Sequence, residues 1–110
     1  MFKITIVVYR NPKVSHEEAI RWWKEEHFPI AKRIPGLKGY VVNVAQLEDD
    51  GSEPGIMGTD EIYFESRKAA EAAYKSPEWA VSRAHTQKAG HTTTRYAVEE
   101  VRLIDPEHSI

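Results

Sequence analysis

The residue best suited to chemistry in this sequence is a histidine on the apolar stripe of a predicted helix. The other stripe positions recur at helical spacing and are Ile20, Trp23, Ile30 and Ile34. Pro29 has no backbone N–H, so we expect a kink where the carbonyl of Glu25 loses its partner. Burial beside this turn would keep the imidazole of His27 neutral near pH 7, as a general base requires. The alternative is a core histidine hydrogen-bonded to a backbone carbonyl.

The second candidate is a tyrosine on a predicted strand. Tyr40 and Asn43 are three residues apart and therefore lie on opposite faces, so at most one of them shares a side with His27. We expect this to be Tyr40, because a phenol among apolar neighbours needs a hydrogen-bond partner and can donate to a developing oxyanion. A plain core aromatic is the alternative interpretation of Tyr40. Asn43, on the other face of the strand, is a candidate for a dimer contact.

Three tryptophans are many for so small a core. Trp22, Trp23 and Trp79 cannot all be hidden easily, which predicts a flat apolar pocket walled by Trp23 or Trp79. Ordinary core packing is the alternative. The predicted substrate-binding set contains Trp23, Trp79, Ile30, Tyr63 and His85, with Tyr74 as a weaker candidate.

The remaining histidines and acids give no metal signature. His85 and His91 flank the end of the second helix, but with His27 they match no known metal-ligand spacing, so no metal is expected. His91 is interpreted as a helix-end residue. We expect His16 and His108 to be solvated, and Asp60 with the acidic run 48–50 to belong to a polar loop.

The elements that must position these residues alternate between strands and helices. Ser15 and Glu18 form a capping box that opens a helix reaching about Ile34. Ser66 opens a second helix, which restarts at Ser76 and stops at Gly90. Strands are predicted over Phe2–Tyr9, Leu37–Leu47, around Ile62–Phe64 and over Tyr96–Ile104. This β-α-β-β-α-β order predicts one α+β domain over 1–110 with a ferredoxin-like, four-stranded antiparallel sheet and both helices on one face.

The first strand indicates a partner for the other face of that sheet. Phe2–Tyr9 is apolar on both sides, with Val7 and Tyr9 opposite the side that faces the helices. Two helices cover only one face, so we expect a second copy of the chain to cover the other and form a homodimer. The alternative is an exposed apolar patch.

Composition excludes several classes of protein. The chain has 110 residues, 41% of them hydrophobic, and a net charge of −2, which favours a single globular domain over a disordered chain and gives no basic surface for nucleic acid. Without cysteine there is no disulfide and no thiol nucleophile. The apolar run 4–8 is too short to span a membrane. We therefore expect a soluble, cytoplasmic protein.

Two motifs make the chain similar to a known family. Trp23-x-x-x-His27-x-Pro29 and Pro35-Gly36-Leu37-x-x-Tyr40 resemble those of the EthD family of dimeric α+β barrel proteins. Similar proteins include methylmuconolactone isomerases, fungal dehydratases of aromatic polyketide pathways and small polyketide cyclases, which need no cofactor. The resemblance implies that His27 transfers protons and that Tyr40 lies in the pocket.

The sequence thus predicts a cofactor-independent lyase or isomerase that moves a proton on a small apolar lactone, phenol or polyketide fragment. His27 would act as base and then acid, and Tyr40 would donate to the enolate-like oxygen. The loop 48–59 would exclude water. One alternative is a non-catalytic dimeric protein that binds a small ligand. Another is haem or oxygen chemistry, with His85 or His91 as the axial ligand.

Overall fold

The computed structural model describes residues 1–107 as one antiparallel sheet with helices packed on one face. The strands are β1 (Phe2–Tyr9), β2 (Gly39–Val44), β3 (Gly58–Phe64) and β4 (Thr92–Val98). The helices are α1 (His16–Trp22), a π-helical segment (Trp23–His27), α2 (Phe28–Ala31), α3 (Arg67–Tyr74) and α4 (Pro77–Lys88). The strand order is β2-β3-β1-β4. The predicted β-α-β-β-α-β order is confirmed; His108 lies outside the described residues.

The first helix departs from α-helical geometry just before Pro29, in the region where a kink is predicted. Ser15 Oγ accepts a hydrogen bond from the Glu18 N–H, as expected of a capping box. The chain then widens into the π-helical segment, in which the Phe28 N–H bonds the Trp23 carbonyl five residues back. The helix ends at Ala31 rather than Ile34, because Pro35 disfavours helical backbone at the residue before it.

Two strand boundaries differ from prediction. Strand β4 spans Thr92–Val98 rather than Tyr96–Ile104, because Gly90 ends the preceding helix with φ +81° and the β-branched threonines pair with β1 at once. The last pair joins Lys3 to Val98, near the start of β1. Strand β2 is shorter than the predicted 37–47. The helix caps at Ser66 and Ser76 are confirmed, since their hydroxyls accept from backbone N–H groups three residues on.

The core forms two clusters between the sheet and the helices. Ile4, Ile62 and Phe64 centre one, and Trp23 with Met57 centres the other. Gly58 is required beside the second cluster, because a Cβ there would lie 1.9 Å from the Asn43 carbonyl oxygen. The backbone therefore closes tightly over Trp23, which fixes the π-helical segment against the sheet.

The opposite face of the sheet is only partly covered in the single chain. Ile4 and Val8 are buried on the helix side of β1, whereas on the other side Val7 is half-buried and Tyr9 is exposed, so within one chain the second face of β1 lacks a cover. Val41 and Tyr96 are about half exposed on the same open face. Within residues 1–107, no helix is long and apolar enough to cross a membrane.

Candidate functional site

A cavity of about 440 Å³ lies between the sheet and the helices, a volume typical of small-molecule sites. Its sheet wall includes Ile6, Tyr40, Asp60, Ile62 and Arg95, and its helix wall includes Trp22, Trp23, His27, Trp79, Ser82 and Thr86. Aliphatic and aromatic side chains form part of this wall, and polar side chains, which also include Arg83, Gln87, Thr92 and Thr93, form at least as much of it. This mixed lining suits a small molecule that has both apolar surface and polar atoms.

His27 lies in this cavity and is held by side chains. Only 6% of it is exposed. Its Nδ1 lies 2.9 Å from Nδ1 of His85, and its Nε2 lies 3.4 Å from the hydroxyl of Thr86. Burial, followed by the charges of His85 and His91, lowers the pKa of His27 to about 4. The imidazole is therefore neutral at pH 7, and its bonds are not those of a core histidine tied to a backbone carbonyl.

Trp22 covers the two imidazoles. Its ring centroid lies 5.1 Å from that of His27 and 5.0 Å from that of His85, with interplanar angles of 18° and 14°. Residues five apart point in different directions on an α-helix, but the π-helical segment brings Trp22 and His27 to the same side. The sequence predicts Trp23 and Trp79 as pocket residues and gives no such role to Trp22.

Asp60 is the site residue that the sequence interpretation misses. The sequence predicts a polar loop at this position, but Asp60 lies on β3, is 6% exposed and lines the cavity. Its Oδ1 has no hydrogen-bond partner within the described chain, and burial raises its pKa to about 7. The signal that could have found it is the strand period of two, since Asp60 is in phase with the apolar Ile62 and Phe64.

Tyr40 faces the same cavity from β2. Its cross-strand partner is Ile62, one step along β3 from Asp60 on the same face. Burial, with the charge of Asp60 as a smaller cause, raises the pKa of the Tyr40 phenol well above its usual value. The hydroxyl therefore keeps its proton at neutral pH and is available as a donor.

A cation completes the sheet wall. Arg95 on β4 pairs with Ile6, which in turn pairs with Asp60, so the two charged residues flank one isoleucine. The guanidinium lies 3.8 Å from the ring centroid of Tyr74 and 5.6 Å from that of Trp79. The aromatic rings hold the cation at the cavity wall.

The predicted substrate-binding set is only partly brought together. Trp23 and Trp79 line the cavity, and His85 lies behind His27. Ile30 does not line it, and Tyr63 lies on the opposite face of the sheet, where its hydroxyl donates to Glu100 at 2.7 Å. Tyr63 is out of phase with Ile62 and Phe64, so strand alternation places it away from the helices.

Of two other histidines, only His16 differs from prediction, because His91 follows the end of α4 as expected and its backbone N–H bonds the Thr86 carbonyl at 3.3 Å. His16 is buried rather than solvated, with Nε2 2.8 Å from the Ala45 carbonyl oxygen. His91 is also buried, lines the cavity and accepts a hydrogen bond on Nδ1 from the Asn11 N–H. Burial, followed by the charge of Arg10, lowers the pKa of His91. Across residues 1–107, no three His, Asp or Glu side chains are grouped so that they could hold a metal ion.

The acidic loop does not line the cavity of its own chain. Glu53 accepts from the His16 N–H and pairs with Arg10, each at 3.0 Å. Met57 is fully buried in the core. These contacts tie the loop to the start of α1, and no residue of 48–57 lines the cavity.

Comparison with known proteins gives a family match and a similar protein. Residues 11–88 match the model of the EthD domain. An uncharacterised 11.0 kDa protein of Rhodococcus erythropolis, encoded in the thcB-thcC intergenic region, is 30% identical over 80 residues, which are 71% of this chain and 73% of that protein.

Solved structures agree on the fold. An ethyl tert-butyl ether D (EthD) family protein from Bacillus halodurans C-125 is 22% identical, with a TM-score of 0.71 over 92% of this chain and all of that one. HapK from Hahella chejuensis is 13% identical, with a TM-score of 0.70 over 98% of this chain and all of that one. The match over most of the chain, including His27 and Tyr40, confirms the predicted family: the chain belongs to the EthD family.

Proposed function

We propose that this protein catalyses cofactor-independent proton transfer, as a lyase or isomerase, on a small and largely apolar carbonyl compound such as a lactone or polyketide fragment, or on a phenol. The proposal rests mainly on the environment of the Asp60 carboxyl group. It is buried, it faces the cavity, and one of its oxygens has no partner in the described chain. Leaving a buried acid unpaired costs folding free energy, which is typical of a functional group.

Asp60 replaces His27 as the base in this proposal. With a pKa of about 7, its carboxyl group is divided between acid and carboxylate at neutral pH, so it can accept a proton and return it. The pKa of His27, about 4, makes that imidazole a weak base. Abstraction of a proton next to a carbonyl therefore falls to Asp60, across the cavity from the histidine.

His27 and Tyr40 would then donate hydrogen bonds to the oxygen of the substrate. Both are neutral at pH 7 and both line the cavity. A neutral imidazole N–H and a phenol O–H are suitable donors to an oxygen that gains negative charge when the neighbouring carbon loses its proton. This keeps the predicted role of Tyr40 and changes that of His27 from base to donor.

The cavity walls favour a ring or planar chain with an oxygen at one end. Trp79 and Ile62 offer apolar surface, while Arg95 supplies a positive charge at the sheet wall. An enolate or phenolate would be attracted to that cation. The proposal therefore extends the predicted ligand class to apolar molecules that carry or develop an anionic oxygen.

Proton exchange in heavy water tests the proposal and requires no assay for a particular product. A panel of lactones, cyclic ketones and phenols is incubated with the protein in D₂O, and ¹H NMR follows the loss of proton signals next to the carbonyl or on the ring. We expect faster exchange than in buffer for at least one compound. Asp60→Asn should abolish the exchange, and His27→Phe should reduce it.

Glu61→Gln is the matched control, because Glu61 is the next residue and lies on the other face of the sheet. It should leave the exchange unchanged. Equal exchange by wild type and Asp60→Asn would contradict the proposal. A compound that binds and shifts protein NMR signals without any exchange would instead support the non-catalytic binding protein.

A second copy of the chain is proposed as the cover of the open sheet face. Tyr9, Val41, Tyr96 and Val98 expose between about a third and a half of their surface there. Burying such a surface against itself is favourable. Light scattering after gel filtration should give a dimer for wild type and for the helix-side control Arg21→Glu. Val41→Glu should give a monomer, and a monomeric wild type would contradict the proposal.

A further inference from the structure

We infer that His27 and His85 form a proton relay between the cavity and solvent. The inference rests on the proposed function, since it concerns how a proton on His27 is replaced. His27 is buried in the cavity wall, whereas His85 on α4 is half-buried and lies behind it. His85 would touch no substrate and would act only through His27.

The two rings meet head-on in one plane. Their Nδ1 atoms are 2.9 Å apart, their planes differ by 6° and their centroids are 5.2 Å apart. That centroid distance is the one expected when the two nitrogens lie on the line between the ring centres. The lone pair of one nitrogen therefore points along the N–H of the other, which is the best geometry for a hydrogen bond and for proton transfer along it.

The neighbouring hydroxyl assigns the proton. Thr86 Oγ1 donates to the Ser82 carbonyl at 3.2 Å, so its lone pairs are left to accept from Nε2–H of His27. A neutral His27 with its proton on Nε2 has a bare Nδ1. The proton between the rings therefore belongs to Nδ1 of His85 in the resting protein.

The relay follows from these positions. For delivery, a substrate oxygen replaces the Thr86 hydroxyl as the acceptor of the His27 Nε2–H. When that proton passes to the substrate oxygen, the His85 Nδ1–H bond breaks and the His27 Nδ1–H bond forms. His85 would then have no proton on either nitrogen, so it takes one from water on Nε2 as its Nδ1 proton leaves. Afterwards His27 carries its proton on Nδ1 and His85 carries its proton on Nε2. One proton enters from solvent for each one delivered, and the reverse sequence carries a proton out.

Trp22 shields the bond along which the proton moves. Its centroid is equally distant from the two imidazoles to within 0.1 Å, and its plane is nearly parallel to both. The indole thus covers the pair on one side and limits the access of water to the N–H···N bond. The aromatic face also favours any positive charge that passes along the pair.

Long-range ¹H–¹⁵N NMR of histidine-labelled, ligand-free protein tests the pairing. We expect opposite tautomers, with His27 protonated on Nε2 and His85 on Nδ1. Finding both rings protonated only on Nε2 would leave no proton between them and would overturn the relay. This measurement needs no substrate, so it is independent of whether the proposed function holds.

The exchange assay in D₂O then tests the use of the pair with any compound on which wild type is active. His85→Gln can still hydrogen-bond to His27 but cannot pass a proton on, so exchange should fall at least tenfold, with unchanged affinity and partial rescue by added imidazole. Lys88→Gln, on the same helix, is the control and should match wild type. An unchanged rate in His85→Gln would overturn the relay.

If His85→Gln fails to fold, His85→Phe, which keeps an aromatic ring against Trp22, serves in its place. Absence of exchange in wild type would contradict the proposed function and the catalytic use of the relay. The tautomer result would still decide whether the His27–His85 pair exists.

Discussion

Asp60 and Glu61 are adjacent acids on opposite faces of the sheet, and their carboxyl groups differ in hydrogen-bond partners and in pKa. Glu61 faces the open side, where it pairs with the ammonium of Lys3 and accepts from Asn43 at 2.8 Å. The bonds from Lys3 and then Asn43 lower its pKa. Asp60 faces the helices, lacks a partner at Oδ1, and has a pKa raised by burial to about 7. One peptide bond separates a satisfied carboxylate from an unsatisfied one.

The open face also satisfies its buried cation. Lys3 donates to both Glu61 and Glu100, and Glu100 accepts from Tyr63 as well. Burial alone would lower the pKa of Lys3, but the bonds to Glu100, Glu61 and Tyr63 outweigh it and raise the pKa. The chain can therefore build a complete charge network on this sheet. The unpaired acid on the other face is consistent with a group kept free for a ligand.

The largest expected effect is that of Asp60→Asn on stability. The unfolded chain ionises this carboxyl near 3.8 and the folded chain near 7, so stability falls as pH rises between those values. At pH 8 the variant should exceed wild type by about 2 to 4 kcal/mol in urea unfolding, and at pH 4 the two should be nearly equal. Protein concentration is kept fixed, because a dimer's stability depends on it.

Glu61→Gln sharpens that test, because the same chemical change on the other face should have the opposite sign. It should destabilise the protein at pH 8 by about 0.5 to 1 kcal/mol. If both variants destabilise equally, Asp60 is paired and the contrast between the two faces is wrong.

His27 should give the next largest effect, visible in acid. Its folded pKa of about 4 lies below the ordinary 6.5, so the stability it permits above pH 6.5 is lost as pH falls through 4. This loss of stability in acid opposes the gain that Asp60 gives as pH falls. The chain with His27 and the chain with His27→Phe are therefore compared with Asp60→Asn present in both. Between pH 7 and 4, a chain with His27 should lose about 2 to 3 kcal/mol more than one with His27→Phe. Parallel pH profiles would show that His27 is not desolvated.

Lys3→Met should break the paired face with a smaller effect. It removes the cation from between Glu61 and Glu100, which then repel each other, and we expect a loss of about 1 to 2 kcal/mol at pH 7. At pH 4 the loss should shrink, because the carboxylates left without their partner become protonated. A neutral result at both pH values would mean that the network contributes no stability.

The fold and part of the site are predictable from the sequence, because local patterns determine both. Serine caps, the change of helix geometry before Pro29 and strand alternation each depend on residues that are close in sequence. The element order and the sheet face on which Tyr40 lies therefore follow from the sequence. The start of β4 does not, since the pairing of Thr92 with Tyr9 joins distant segments. The contacts of His85 and Trp22 with His27 escape prediction because they depend on the π-helical segment, whose extra residue changes which side chains share a side.

The buried position of Asp60 is predictable in principle, but its residue type suggests an exposed one. Its phase with Ile62 and Phe64 places it on the buried face, but an acid beside an acidic loop is typical of a polar surface. Tyr63 misleads in the opposite way, since its aromatic character suggests a pocket while its phase places it on the open face with Glu100. Within a strand, alternation is a better guide to position than residue type.

The most direct test of the account is the pKa of the Asp60 side chain in the ligand-free protein. Carboxyl ¹³C NMR of aspartate-labelled protein gives this value, and Asp60→Asn identifies the signal. We predict a titration near pH 7, as an unpaired carboxyl in the cavity requires. A pKa near the ordinary 3.8 would show that the group is solvated or paired, and would contradict Asp60 as the base.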